Sequence, residues 1–319
     1  MRLLFVLLLA LVLDLLLGEP PRAIHPVVWM GKVISFLKKF VPSSSKSSSS
    51  TGGGRMRQLI YGGVMVLFTV CIFAAPVYFI LLYMSQVSSI AYIIGGAVVL
   101  KSAFAFKQLR HAVLEIKGLL AKDNLKDARD RMPDLVSRET RGLGKSALAS
   151  AAVESIAENI SDSFVAPLFY FLLLGVPGAV AYRVINTCDA MIGYHGEYEY
   201  LGKFAAKLDD ALNFIPARIS GLLLVIAAYL SKENGRNAWR VMLLEHGKTE
   251  SPNAGWPMGA MAGALRVRLE KAGSYSLGDV TNPLTPSLIV SGVKLTDVTA
   301  LLWVLVCLIM EVAYFAFAT

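Results

Sequence analysis

The only cysteines in the 319 residues, Cys71, Cys188 and Cys307, stand far apart, with no C-x-x-C pair among them. That excludes a chelated zinc module and a small disulfide-framed fold, and leaves ordinary buried thiols. Charge is scarce as well: 17% of residues are charged against 55% hydrophobic, and the mean hydropathy is +0.57. Such a composition argues against a pair of soluble domains and predicts one membrane-embedded helical body over residues 1–319. The net charge of +8 comes without any recognisable nucleic-acid reading module. Lys and Arg are what the cytoplasmic loops of membrane proteins collect, so no nucleic-acid partner is expected. A Walker phosphate loop is ruled out, because Glu139 stands where glycine is needed and no strand precedes Gly144-Lys145-Ser146. No repeat at solenoid period is visible. The apolar run 1–17 passes into Gly-Glu-Pro-Pro with no small-residue cleavage site, so it is expected to be an uncleaved anchor.

What is present reads as an all-α, polytopic integral membrane protein with about four to six membrane segments, one of them either re-entrant or spanning, plus amphipathic cytoplasmic helices. Residues 42–54, PSSSKSSSSTGGG, are too polar to bury themselves and form a flexible linker. Segments 59–84 and 87–106 can each cross about 30 Å of hydrocarbon and should make a tight hairpin. Their flanks, 22–57 and 107–145, carry an excess of Lys and Arg. This places both ends of the hairpin on the cytoplasmic side of the cell membrane. Residues 109–132 return apolar positions every three or four residues among alternating charges, predicting one solvated amphipathic helix. Beside the next helix start, Arg138, Arg141 and Lys145 could contact an anion. Asp14 is either a helix-end residue or an inward-facing acid. A last span is expected over 298–317.

The chemistry should sit in residues 151–218, where acids, amides and arginines recur inside segments apolar enough for a bilayer. Polar groups there are costly unless paired or used. On one helix Glu154, Glu158 and Asp162 fall at i, i+4 and i+8, with Ser155 and Asn159 alongside. Like charges at this spacing repel. They need either arginines from neighbouring helices or a shared cation, and Mg²⁺ suits a few carboxylate or amide oxygens beside substrate phosphates. Pro167, Gly175, Pro177 and Gly178 break the apolar run that follows, so residues 164–182 either cross once or turn back. Downstream, Arg183, Asn186, Asp189, His195, Lys203, Asp209, Asp210, Asn213 and Arg218 form a second acid-rich set with flanking basic residues. They read either as a metal–phosphate site or as interfacial ion pairs. His195 is the candidate general base. SPNAGWP at 251–257 reads as a loop in which Gly255 permits close backbone approach and Trp256 offers a flat ring. The small residues at 259–264 suit tight helix packing.

Taken together, AAVESIAENISD, YRVINTCDAMIGY, KLDDALNFIPAR and SPNAGWP, with DLLLGEPPRAIHPVVWMGKVI near the start, resemble the CobD/CbiB adenosylcobinamide-phosphate synthases of cobalamin biosynthesis. The likeness runs in order along most of the chain and omits chiefly the Ser-rich linker. It implies an integral membrane ligase of the cell membrane with its active face cytoplasmic. Such an enzyme joins the propionate carboxylate of a corrinoid, adenosylcobyric acid, to (R)-1-aminopropan-2-ol or its phosphate, with ATP as co-substrate and Mg²⁺. By motif position the resemblance implies Glu154, Glu158 and Asp189 as catalytic groups, beside His195 as the base read from the residues. It implies Glu154, Glu158, Asp162, Asp209 and Asp210 as metal ligands. Asn159, Arg183, Lys203, Arg218, Asn253, Gly255 and Trp256 become substrate or nucleotide contacts, and Asn186 and His25 join them as candidates read from the residues alone. Further partners are the lipid bilayer and either copies of the same chain or other membrane enzymes of the pathway. Two positions depart from the family pattern: Met258 replaces an acidic residue after Trp-Pro, and Cys188 replaces leucine. The alternatives are an ion-coupled transporter, which uses broken helices carrying acids, and an AmpE-like membrane sensor.

Overall fold

The computed structural model describes residues 2–41, 53–136, 138–194 and 199–318. Most of the expected linker and the whole of His195 lie outside the described residues. The helices are α1 (Arg2–Leu17), α2 (Pro26–Lys38), α3 (Gly53–Val87), α4 (Ser89–Lys101), α5 (Phe106–Ala121), α6 (Leu125–Arg131), α7 (Lys145–Ile160), α8 (Ala166–Ile192), α9 (Glu199–Leu230), α10 (Gly235–Glu245), α11 (Gly255–Leu265) and α12 (Pro286–Ala318). A short pair of strands, β1 (Leu269–Lys271) and β2 (Tyr275–Leu277), precedes α12. Among the described residues five stretches are long and apolar enough to cross a membrane: Gly54–Val87, Ser89–Ala121, Lys145–Ile192, Glu199–Leu230 and Pro286–Phe317. The protein is a polytopic all-α membrane protein. It folds as two compact units, one of residues 1–105, 167–212 and 310–319, the other of residues 106–166 and 213–309.

In the first unit α3 is apolar on every face, as hydrocarbon requires. Val64, Phe68, Phe79 and Tyr83 are at least half exposed, while Met65, Val66 and Leu81 are buried. Ser88 alone joins α3 to α4, its Oγ accepting from the N–H groups of Ile90 and Ala91. The expected hairpin is therefore present, but its second arm stops at Lys101 and not at 106. Lys101 ends the helix with its ammonium buried and paired, 3.1 Å from Asp14 and 2.6 Å from Glu19. Asp14 is thus an inward-facing acid.

The break expected within 164–182 occurs at Gly175, which takes φ 69°, ψ −164°, a conformation open essentially to glycine alone. Tyr170 and Tyr182 lie twelve positions apart, about 18 Å along a straight helix. Their rings nevertheless stack with centroids 5.2 Å apart. A methyl group on Gly178 would fall 2.7 Å from the Tyr170 carbonyl oxygen. The chain thus turns back at Gly175 as a helical hairpin, although the stretch is long enough to cross. Gly175→Ala should lower the unfolding free energy by about 1–3 kcal/mol. Thermal unfolding in detergent checks this, and an unchanged melting temperature would contradict it. The returning arm packs Val180, Val184, Cys188 and Ile192 against Met30 and Ile34 of α2, Met65 and Val66 of α3, and Leu201 and Ala205 of α9.

In the second unit the single amphipathic helix expected over 109–132 is two. Asp123 adopts φ 55° and Asn124 restarts the chain by accepting from the Asp127 N–H. α10 and α11 run antiparallel at backbone contact distance. A methyl group on Gly255 would lie 2.0 Å from the His246 carbonyl oxygen, and one on Gly259 would lie 3.2 Å from the Met242 Cα. The small-residue packing is as expected, but Gly255, Trp256 and Pro257 form the first turn of α11 and are not loop. Met258 is buried in the same helix. β1 and β2 pair antiparallel with Lys271 opposite Tyr275. The Glu270 N–H donates to Ser150 Oγ at 3.3 Å, laying this hairpin on α7.

Candidate functional site

The acid stripe starts on α7, and the structure gives its members different surroundings. Glu154 is only 4% exposed. Its Oε1 accepts from Ser150 at 2.6 Å, and its Oε2 accepts from the Tyr275 hydroxyl at 2.8 Å and lies 3.2 Å from Arg138 Nη1. Arg138 also donates to the Glu270 carbonyl at 3.3 Å, while its Nε is buried without a hydrogen-bond partner among the described residues. Burial first, then the charge and hydrogen bond of Glu154 and the charge of Glu158, push the Tyr275 phenol far above its ordinary value. Tyr275 therefore remains a donor to Glu154 throughout the physiological range. Glu158 and Asn159 are half-buried one turn further on. The Asn159 amide donates back to the Ser155 carbonyl at 3.0 Å and to Ser155 Oγ at 3.2 Å.

Ser161–Val165 form a π-helical turn, which alters the i, i+4, i+8 register on which the stripe was drawn. Asp162 sits in this wider turn, a feature that gathers at functional sites. Among the described residues no three of His, Cys, Asp and Glu converge to hold a metal ion. The five carboxylates expected as ligands divide between the units: Glu154, Glu158 and Asp162 belong to the second, Asp209 and Asp210 to the first.

Also in the second unit, Arg218, Asn253, Gly255 and Trp256 come together. Arg218 Nη1 donates to the Phe214 carbonyl at 2.6 Å and to Asn253 Oδ1 at 3.1 Å. The guanidinium carbon lies 3.5 Å from the Phe214 ring centroid and 4.7 Å from that of Trp256. On Trp256 stacks His246, a residue that motif reading missed, with centroids 4.1 Å apart. Burial and the neighbouring Arg218 charge hold His246 below its ordinary pKa, so it is neutral at pH 7. The Trp256 Nε1–H is buried without a hydrogen-bond partner among the described residues. Gly255 is required because α11 begins against the His246 carbonyl.

In the first unit Arg183 Nη1 lies 3.4 Å from Asn186 Oδ1, and Asn186 Nδ2 donates to Asp209 Oδ1 at 3.3 Å, tying α8 to α9. Asp209 is buried, whereas Asp210 is half-buried. Asp189 lies on the last turn of α8 against Gly193, where a methyl group would fall 2.0 Å from its Oδ1. Lys203 is exposed, six positions before Asp209 and so on another face of α9. His25 is engaged within the protein at both ring nitrogens. Nδ1 accepts from the Val27 N–H at 3.2 Å, capping α2, and Nε2 lies 2.7 Å from Glu19 Oε2. Burial raises the Glu19 carboxyl, but hydrogen bonds from His25 and Lys101 outweigh it and hold the group below its ordinary value.

A family model described as CobD/Cbib protein matches residues 7–313. The chain belongs to the CobD/CbiB family. Among its CobD/CbiB relatives, the Cobalamin biosynthesis protein CobD of Dehalococcoides mccartyi is 50% identical over 316 residues, 99% of each chain. The Probable cobalamin biosynthesis protein CobD of Methanothermobacter thermautotrophicus is 41% identical over 301 residues, 94% of this chain and 95% of its own. That of Methanocaldococcus jannaschii is 37% identical over 303 residues, 94% of this chain and 96% of its own. No solved structure gives a significant match. The CobD/CbiB match takes in every polar cluster described above.

Proposed function

We propose that this CobD/CbiB protein is an ATP-dependent, amide-forming ligase of cobalamin biosynthesis. It joins the propionate carboxylate of adenosylcobyric acid to the amine of (R)-1-aminopropan-2-ol phosphate, giving adenosylcobinamide phosphate. The family match over residues 7–313 carries this reading. A carboxylate does not acylate an amine unaided. Transfer of the ATP γ-phosphoryl group to the carboxylate gives an acyl phosphate and ADP. The amine nitrogen then attacks the acyl carbon, and phosphate leaves with one oxygen of the original carboxylate. Such chemistry asks the protein mainly to position the reactants and neutralise phosphate charge.

The residues divide this work unevenly. Glu154 has its carboxylate filled by Ser150, Tyr275 and Arg138, and serves as the anchor that orders them. Glu158 and Asp162 offer hard oxygen donors of the kind Mg²⁺ takes in small number beside water and substrate phosphates. Their chemistry fits, and a bound Mg²⁺ would neutralise phosphate charge there. Arg218 in the second unit and Arg183 in the first are guanidinium groups held in fixed settings, suited to phosphate or to corrinoid carboxamides. Use of ATP places the active face on the cytoplasmic side of the cell membrane.

Membranes carrying the protein should be given adenosylcobyric acid and Mg-ATP with aminopropanol phosphate, aminopropanol or ethanolamine phosphate. The expected result is a product with the mass of the corresponding amide, formed only when ATP is present. No product of amide mass with any of the three amines would sink the ligase reading. Solute movement across sealed vesicles without a covalent product would favour a carrier.

A further inference from the structure

The outer face of α2 carries side chains that suit a membrane surface better than a protein interior. Met30 and Ile34 pack into the core of the first unit, whereas Trp29, Phe36 and Phe40, on another side of the helix and of the turn after it, are 44%, 56% and 60% exposed. This aromatic stripe is ordered. The Trp29 Nε1–H donates to the Ala23 carbonyl at 2.9 Å, and the Phe36 and Phe40 rings meet edge to face with centroids 5.1 Å apart. Lys32 and Lys39 run beside the stripe and are exposed as well. Neither makes an ion pair among the described residues. The sequence supplies no acid between Glu19 and Glu115, and Glu19 is taken by His25 and Lys101.

The α3–α4 hairpin fixes the depth of this face. Its tip is polar, with the Arg2 guanidinium donating to the Ser85 carbonyl at 3.2 Å and Ser88 joining the arms. Far from the tip, the Tyr61 hydroxyl of α3 donates to the Leu37 carbonyl of α2 at 2.8 Å. From Ser88 back to Tyr61 the chain makes about 40 Å of helix. The hydrocarbon core is about 30 Å thick, and the bilayer with its headgroups about 40–45 Å. The end of α2 therefore lies among headgroups, beside Arg55 and Arg57 in the first turns of α3.

We propose that this face of α2 docks on anionic phospholipid headgroups, with Trp29, Phe36 and Phe40 set into the interface and Lys32 and Lys39 holding phosphates. A neutral leaflet would receive the aromatic rings and leave the lysines unanswered. A second copy meeting the same face would set lysines against lysines. The docking owes nothing to the ligase reading.

The test places the full-length protein in phosphatidylcholine nanodiscs holding a small, equal fraction of either brominated phosphatidylglycerol or brominated phosphatidylcholine. Bromine quenches nearby tryptophan, and subtracting the signal of Trp29→Phe isolates Trp29 from the other three tryptophans. At low salt the anionic lipid should quench Trp29 about twofold or more over the neutral one, an excess that fades as salt is raised. Lys32→Gln combined with Lys39→Gln should remove most of the excess and leave the melting temperature near wild type, both side chains being exposed. Equal quenching by the two lipids in the wild-type protein overturns the docking, as does an excess that survives both high salt and the double substitution. Quenching by neither lipid overturns it too, because α2 is then covered by protein.

Discussion

Arg138→Ala should lower the unfolding free energy by about 3–5 kcal/mol, the range for removing one partner of a buried ion pair. Glu154 is 4% exposed, and Arg138 supplies its only cationic contact within 4.0 Å among the described residues. Ser150 and Tyr275 would still donate to the carboxylate, but neither carries charge. The effect is measured by thermal or chemical unfolding of the detergent-solubilised protein. Adding Glu154→Gln should return part of the loss, because the stranded charge goes with it. That non-additivity is the signature of direct coupling. A loss below about 1 kcal/mol, additive with Glu154→Gln, would mean the pair behaves as a surface bridge.

Glu158→Gln should leave the melting temperature close to wild type and lower amide formation by roughly 10²–10⁴-fold, the range for a positioned ionisable group at the reacting centre. Glu158 is half-buried one turn beyond Glu154, and its charge reaches the Tyr275 hydroxyl. The contrast with Glu154 separates the two acids: loss of one acts through the fold, loss of the other through turnover. Wild-type rates in Glu158→Gln would return that position to a structural role.

Local pattern carried much of the architecture. Apolar length marked the α3–α4 hairpin, and Gly175 with Pro177 marked a break, although only the Tyr170–Tyr182 stack shows that the chain folds back there. What escaped was non-local. Tyr275 lies 121 positions from Glu154, on a strand pair too short to leave a periodic signal. His246 reaches Trp256 because α10 and α11 pack back to back, which no spacing rule conveys. The π-helical turn at Ser161–Val165 altered the acid stripe because a helical wheel presumes a uniform 3.6-residue period. The two bonds of His25, capping α2 and meeting Glu19, are likewise not conveyed by spacing. Of the carboxylates that the resemblance gives as metal ligands, Glu154, Glu158 and Asp162 belong to one compact unit and Asp209 and Asp210 to the other.

The central claim is ATP-driven amide formation at a corrinoid carboxylate. It is tested most directly by supplying adenosylcobyric acid whose propionate carboxylate carries heavy oxygen at both positions, with Mg-ATP and the preferred amine. The account expects an amide retaining one labelled oxygen, and the other in the inorganic phosphate released. Unlabelled phosphate, or ATP consumption without any amide, would contradict it.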